Sequence, residues 1–414
     1  MKNYFVALGF IFFLFSGLQS VSQNGWTVYD ESNTSMLTES YSTIAVDGSG
    51  IIWCGSHYSG IYKFDGTNWT WVTNSNSGIL SNYIRDIEIG NDNKVWVATS
   101  KGLSVFNGVS LTNYDTSNAG FNGVDVYSLG EDNNGKIWLS SSNSSFTSCN
   151  ITTFDGSIWT NLTGYPSQID SAEFYDYKFT STNVAWIGGE VGITKHNGSF
   201  SFYPYATTGI WSTQAVAVDS YDNVWAVGFD GILKYNGSSW HVWLNTTDLG
   251  FTSSTYYSDM LIDGNILWIT CNQGLIKFNM SSETIIEVYD ETNSPLTHGC
   301  LNAISKDASG NLWLATSIGI IKMNPSQTGI NTLNQSEVIS TFPNPSTGIF
   351  NLKFSESKNY TYKVYSDEGV LVATGKGFDS DFDVDLSAMV DGLYHIVVYD
   401  DNSVYKTIKL IKAN

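Results

Sequence analysis

Arginine is almost missing from this chain: of 19 basic residues in 414, only Arg85 is an arginine, and the rest are lysines. Against them stand 39 acidic residues, for a formal charge of −20. That balance excludes nucleic acid and an anionic membrane as electrostatic partners, and it suits an acidic, well-solvated surface outside the cell. Apolar runs are missing too. The segment from Tyr4 to Leu18 is too short for a comfortable membrane span, and no other stretch competes with it, so no transmembrane anchor is expected. Cysteine is sparse and unclustered. Cys54, Cys149, Cys271 and Cys300 fall in different parts of the chain with no Cys-x-x-Cys spacing, which excludes a zinc site. They read as isolated structural thiols, with one disulfide as the alternative. The five histidines, His57, His196, His241, His298 and His395, show neither triad nor metal spacing. Proline numbers only 6, and no helical period persists over a useful length.

Glycine, at 38 residues, and aromatics, at 14%, are abundant, as strands and tight turns require. A unit recurs. Trp53, Trp96, Trp138, Trp186, Trp225, Trp268 and Trp313 are spaced by 43, 42, 48, 39, 43 and 45 residues, the length of one four-stranded blade. In the second copy Asp86-Ile87-Glu88-Ile89 alternates as the innermost strand. Val95-Trp96-Val97-Ala98 follows, then Leu103-Ser104-Val105-Phe106 after Gly102, and the Asn107-Gly108 turn leads to Ser110–Tyr114. Asn-Gly or Asp-Gly supplies the positive φ that a two-residue hairpin loop needs, and it recurs at Asp65, Asp155, Asn197 and Asn236.

The seventh copy breaks at Asn324-Pro325 with no fourth strand, while Trp26-Thr27-Val28-Tyr29 stands alone and resembles the fourth strand Trp69-Thr70-Trp71-Val72. The N-terminal strand is therefore predicted to complete the last blade and close a seven-bladed all-β propeller over residues 23–324, removing the open edges. Residues 1–22 read as an export signal: Lys2, the apolar segment, then Ser20-Val21-Ser22 before Gln23, with no cysteine following to carry a lipid. Residues 325–340, rich in Ser, Thr, Asn and Gln, read as a linker, and residues 341–414 as a small second β domain.

Leu80-Ser81-Asn82 with Arg85, Gly60-Ile61-Tyr62-Lys63-Phe64, and the run Asp307 to Thr316 with Trp313 at its centre resemble the two-component regulator propeller family. The third copy departs from that pattern between Ser140 and Asn150. In that family the propeller usually senses polysaccharide fragments for a membrane-spanning kinase. With neither span nor kinase in this chain, the resemblance implies a free-standing module that binds a ligand or partner. Phe342-Pro343-Asn344-Pro345-Ser346-Thr347-Gly348, Gly392-Leu393-Tyr394 and the final strand Tyr405–Lys412 closely resemble the C-terminal sorting domain of the type IX secretion system of Bacteroidetes. That resemblance implies export across both membranes by that machinery, tail cleavage, and release or surface attachment.

Propellers of this kind bind ligands on the face that carries the loops between second and third strands. Tyr41, Tyr83, Arg85, Tyr127, Tyr175, Trp211, Gln214, Tyr257, His298 and Asn302 are placed there, with His57, Tyr58, Lys101, Glu190, Phe229 and Asp230 from loops. Aromatic faces cover sugar rings and amides meet hydroxyls, so a glycan is the expected ligand, with a cell-surface protein also in view. Arg85 suits a uronate carboxylate, or a structural pair with Asp86 or a neighbour. The Asp-x-x-Gly turns at Asp47, Asp132 and Asp307 read as capped turns rather than calcium sites, and no metal or cofactor is called for. Three functions remain open: a binding module, expected first; a lyase or hydrolase using His57 and His298, for secreted seven-bladed propellers include lyases; and a structural adhesin. A monomer is expected.

Overall fold

The computed structural model describes residues 22–413 apart from 24, 38, 144–148, 170–171, 230, 245–254, 297–300, 328–339, 367–369 and 401–402. All of the export segment but Ser22, together with His298, Cys300, Asp230 and most of the linker, therefore lies outside the described residues. The chain forms two compact units, residues 1–328 and 329–414.

The first unit is a propeller of seven antiparallel sheets. Blades 1 to 6 begin at Tyr41, Ile84, Asp125, Phe174, Trp211 and Tyr257, and blade 7 begins at Leu301. The innermost strands of successive blades touch in order, and blade 7 touches blade 1, so the ring is closed. Trp26–Tyr29 supplies the fourth strand of blade 7, pairing antiparallel with Ile320–Met323. Its side chains also reach past that blade. Trp26 is 3% exposed and meets Tyr289 of blade 6 edge-on at 5.6 Å, while Tyr29 stacks on Trp313 at 5.7 Å and leans on Phe64 and Trp69 of blade 1. One short strand ties three blades.

All seven repeat tryptophans are buried, each 7% exposed or less. In five blades a lysine directly opposite on the third strand lies over the indole, at 4.8 Å for Lys63 on Trp53 and 5.3 Å for Lys322 on Trp313. Such cation–π contacts use the lysine stem as cover for the indole, and the Lys234 ammonium also pairs with Glu283 at 2.8 Å. Trp53, Trp138, Trp225 and Trp313 donate Nε1–H to Asp47, Asp132, Asp219 and Asp307, which open the turns between first and second strands. Asp307 also accepts the backbone N–H groups of Ser309 and Asn311, both at 2.9 Å, so its oxygens face inward to N–H donors. Burial alone would raise the Asp307 carboxyl, but the bonds from Trp313 and Asn311 outweigh it and hold it below the usual carboxylate range. Asp307→Ala leaves a buried indole N–H without its acceptor and should cost about 2–3 kcal/mol, read as a lower midpoint in thermal or urea unfolding.

Cys54, Cys149 and Cys271 are buried free thiols. Cys271 takes the part of a threonine. Its Sγ donates to Gly274 O at 3.3 Å, where Thr99 and Thr316 use a hydroxyl on Gly102 and Gly319.

The second unit is a small β domain, one connected set of five antiparallel strands in which the long strands Ile349–Ser366 and Leu371–Asp385 pair and cover a core of Phe350, Leu352, Tyr360, Val364, Tyr394 and Ile396. The Pro-Asn-Pro-Ser-Thr-Gly segment clasps the last strand. Asn344 accepts from Ile411 N and donates to Lys409 O, and Ser346 N donates to Ile411 O. Lys412 is buried, 5% exposed at its side chain, and pairs with Asp391 at 2.7 Å.

Candidate functional site

The innermost strand of every blade carries a bulge near its start, which leaves one residue unpaired; in blade 5 there are two, at Ser212 and Gln214. A bulge turns the unpaired residue out of the ladder and bends the strand. The bulged residues Ser42, Arg85, Tyr127, Tyr175, Gln214, Ser258 and Asn302 all line one cavity of 140 Å³ at the hub. Inner strands enter from the face carrying the loops between second and third strands, so this ring sits at the mouth of the channel on that face.

Five of the residues expected at the mouth are thus brought together: Arg85, Tyr127, Tyr175, Gln214 and Asn302. Tyr83 joins them, its ring lying 4.4 Å from the Arg85 guanidinium. Two expectations need correction. Tyr41 and Tyr257 are fully buried, with Tyr41 donating its hydroxyl to Leu37 O and Tyr257 packed in the core shared by blades 5 and 6. The extra residue of the bulge hands their place to Ser42 and Ser258. His298 and Asp230 lie outside the described residues, and the pairing of His57 with His298 lies outside them too. His57 itself packs edge-on to Tyr83 at 5.6 Å with Nδ1 buried. Burial makes it less basic than usual, Arg85 adds to this, and Glu39 opposes both.

Several mouth side chains are spent on holding the ring together. Ser42 donates to Ile84 O, Ser258 to Leu301 O and Asn302 to Tyr41 O, each reaching the next blade. Arg85 grips Asp125 of blade 3 through Nε at 3.1 Å and Nη2 at 2.7 Å, sandwiched between Tyr83 and Tyr127. Its structural partner is Asp125 rather than Asp86.

Asp86 belongs to a second ring, one residue past the bulge, which the repeat spacing does not single out. Asp86, Asp176 and Asp259, in alternate blades, each accept from a backbone N–H of the following blade: Leu129, Val216 and Ile304, all at 2.9 Å. Two residues deeper, Lys178 pairs with Asp176 at 2.8 Å. Burial would lower the Lys178 ammonium, but Asp176, Glu88 and Asp259 around the channel raise it above its ordinary value. Burial pushes Glu88 up to about 8 and Asp259 up to about 7. The sequence signal for this ring is Arg85-Asp86-Ile87, Tyr175-Asp176-Tyr177 and Ser258-Asp259-Met260.

Around the mouth the same face exposes aromatics. Tyr58, 72% exposed, meets Tyr83 edge-on at 5.4 Å. On blades 4 to 6, Tyr205 stacks on Trp211 at 4.6 Å, Trp211 stands opposite Phe229 in register, and Phe229 meets Tyr256 at 6.0 Å. Their exposures are 43%, 58%, 40% and 50%. Lys101 and Glu190 are exposed on the same face. Repeat reasoning misses Tyr205 and Tyr256 because they lie in connections between blades, which have no fixed place in the repeat.

Residues 340–413 match the family of secretion system C-terminal sorting domains. This domain routes the chain to the outer cell surface through the type IX system. Among the described residues no helix is long and apolar enough to cross a membrane. No curated protein matches the chain. Among solved structures, it is similar to an extracellular domain ascribed to the hybrid two component system BT3049 of B. thetaiotaomicron, at 16% identity and a TM-score of 0.63, covering 94% of this chain and 57% of that one. It is also similar to PorZ, an essential surface component of the type-IX secretion system of Porphyromonas gingivalis, at 18% identity and a TM-score of 0.56, covering 92% of this chain and 60% of that one. Virginiamycin B lyase from Staphylococcus aureus matches 73% of this chain and 99% of its own at 14% identity, with a TM-score of 0.55. The chain therefore spans 57% and 60% of the first two, and at these identities the likeness is one of fold.

Proposed function

We propose that the propeller is a surface-displayed binding module that takes a glycan on its mouth face. The observation that carries this is the placement of exposed aromatics. Of seven exposed aromatic residues among the described propeller residues, Tyr58, Tyr205, Trp211, Phe229 and Tyr256 share the mouth face. Soluble surfaces normally scatter such side chains, so their gathering around an opening marks a ligand site. Ring faces pack on the apolar faces of pyranoses, while Tyr127, Tyr175 and Gln214 bring hydroxyl and amide groups to the opening. The resemblance to two-component regulator propellers supports the same reading. Arg85 is better read as a brace between blades 2 and 3 than as the ligand's anchor, since its bidentate edge is already taken by Asp125.

The test is a glycan array with the signal-free, full-length chain, followed by titration of the best hit. Trp211→Ala combined with Tyr58→Ala should weaken binding by at least about tenfold, near 1.4 kcal/mol, with the melting temperature unchanged. A folded protein that binds no glycan, or whose binding ignores both substitutions, overturns the reading. Measured cleavage of a bound polysaccharide would replace it with the lyase reading.

A further inference from the structure

The mouth face is chemically lopsided, and its two halves differ in the charge they offer. On the blade 2 and 3 side the guanidinium of Arg85 is matched by Asp125. On the side of blades 4 to 6 the aromatic strip shares the face with Glu173 and Glu190 of blade 4, which are joined to each other: Glu190 N donates to Glu173 O at 2.9 Å, and the Glu190 carboxylate accepts from Glu173 N at 3.5 Å. Tyr175 connects these carboxylates to the strip. Its phenol is raised above the ordinary range by burial first, then by the charges of Glu173 and Glu190 and by Tyr256 of blade 6, and it hydrogen-bonds Glu173. Glu190 is exposed, and Lys178, the nearest cation on the same strand as Tyr175, is held among Asp176, Glu88 and Asp259 inside the channel.

Resting on the glycan reading above, we infer that this half of the face selects a cationic glycan: one whose sugars carry free amino groups, with pyranose rings on Trp211 and Tyr256 and ammonium groups against Glu173 and Glu190. Three observations converge on that ligand. Exposed rings flanked by carboxylates attract a cation both through the ring quadrupole and through charge. The chain's formal charge of −20 draws a polycation and repels a uronate. The strip is a succession of four rings over two blade boundaries, which suits an extended ligand made of repeated rings better than a single basic side chain.

Calorimetric titration at mildly acidic pH would use a β-1,4-linked glucosamine hexamer, its fully N-acetylated counterpart, an oligogalacturonate and oligolysine. The free-amine hexamer should bind at least about tenfold more tightly than the acetylated one, lose affinity as salt rises, and lose most of that preference in Glu173→Gln/Glu190→Gln. Trp211→Ala should weaken both hexamers alike. Equal affinity for the two hexamers, or a preference that survives the double glutamine variant, overturns the inference while leaving the glycan reading in place. Oligolysine binding more tightly than the free-amine hexamer overturns it in favour of a basic protein partner. Failure of every glycan in the array sinks the glycan reading itself.

Discussion

Trp26→Ala should melt the propeller well below the intact chain. A buried tryptophan cut to alanine costs about 3–5 kcal/mol through lost transfer energy and the cavity left behind. In a body of about 300 residues that is roughly 5–8 °C of melting temperature. Trp26 is 3% exposed and lies in a core with Trp268, Tyr289, Leu275 and Leu312, so the cavity would open at the seam between blades 6 and 7. Removing residues 22–29 altogether should be worse, because it bares the ladder of Ile320–Met323, which Trp26–Tyr29 now occupies. An apolar strand with open N–H and C=O groups recruits other chains, and light scattering should show oligomers or aggregate where the intact protein gives a single species. Trp71→Ala is the control: that residue is 46% exposed on an outer strand, and its removal should move the midpoint far less. A Trp26→Ala midpoint no lower than that of the control would mean that the ring does not depend on its borrowed strand.

The closure is legible in the amino-acid sequence because it leaves two matching defects, a last repeat without its fourth strand and a first strand without its repeat. The seven tryptophans are equally plain, since each sits in a strand flanked by the same turns and buries an indole against the neighbouring blade. The mouth is legible only in part. Aligning the repeats finds Arg85, Tyr127, Tyr175, Gln214 and Asn302. It misplaces Tyr41 and Tyr257 because strand alternation changes phase at a bulge, and nothing in Tyr41-Ser42-Thr43 or Tyr257-Ser258-Asp259 announces the extra residue. A large aromatic at such a point draws the eye, yet it is the small polar neighbour that faces the channel. The carboxylate ring is hidden for another reason: it occupies alternate blades only, so a search for what every repeat shares passes over it.

That ring sets the pH behaviour of the whole propeller. Glu88 and Asp259 have folded-state pKa values of about 8 and about 7, raised by burial, against about 4 in the unfolded chain. Between those limits the folded state binds more protons than the unfolded state, so stability must fall as pH rises. Every tenfold difference in proton affinity between the two states is worth about 1.4 kcal/mol. The channel admits solvent, with the Lys178 side chain 44% exposed, and screening reduces the total to about 2 kcal/mol between roughly pH 5 and pH 8. At the acid end the sign reverses. Asp307 is held below the usual range, so its contribution is present above the unfolded pKa and disappears as pH drops through the folded one. The melting temperature should therefore peak in mildly acidic buffer. Lys178→Met removes the cation that faces Asp176, Glu88 and Asp259 and should cost about 3–5 kcal/mol at alkaline pH, with much of the loss recovered on acidification as the carboxyls take up protons. Glu88→Gln should flatten the decline. Thermal unfolding of the three proteins across the pH range reads all of this directly. A wild-type midpoint that rises steadily to pH 8, or a Lys178→Met variant no less stable there than the parent, would show that the hub charges are compensated by something other than the lysine at their centre.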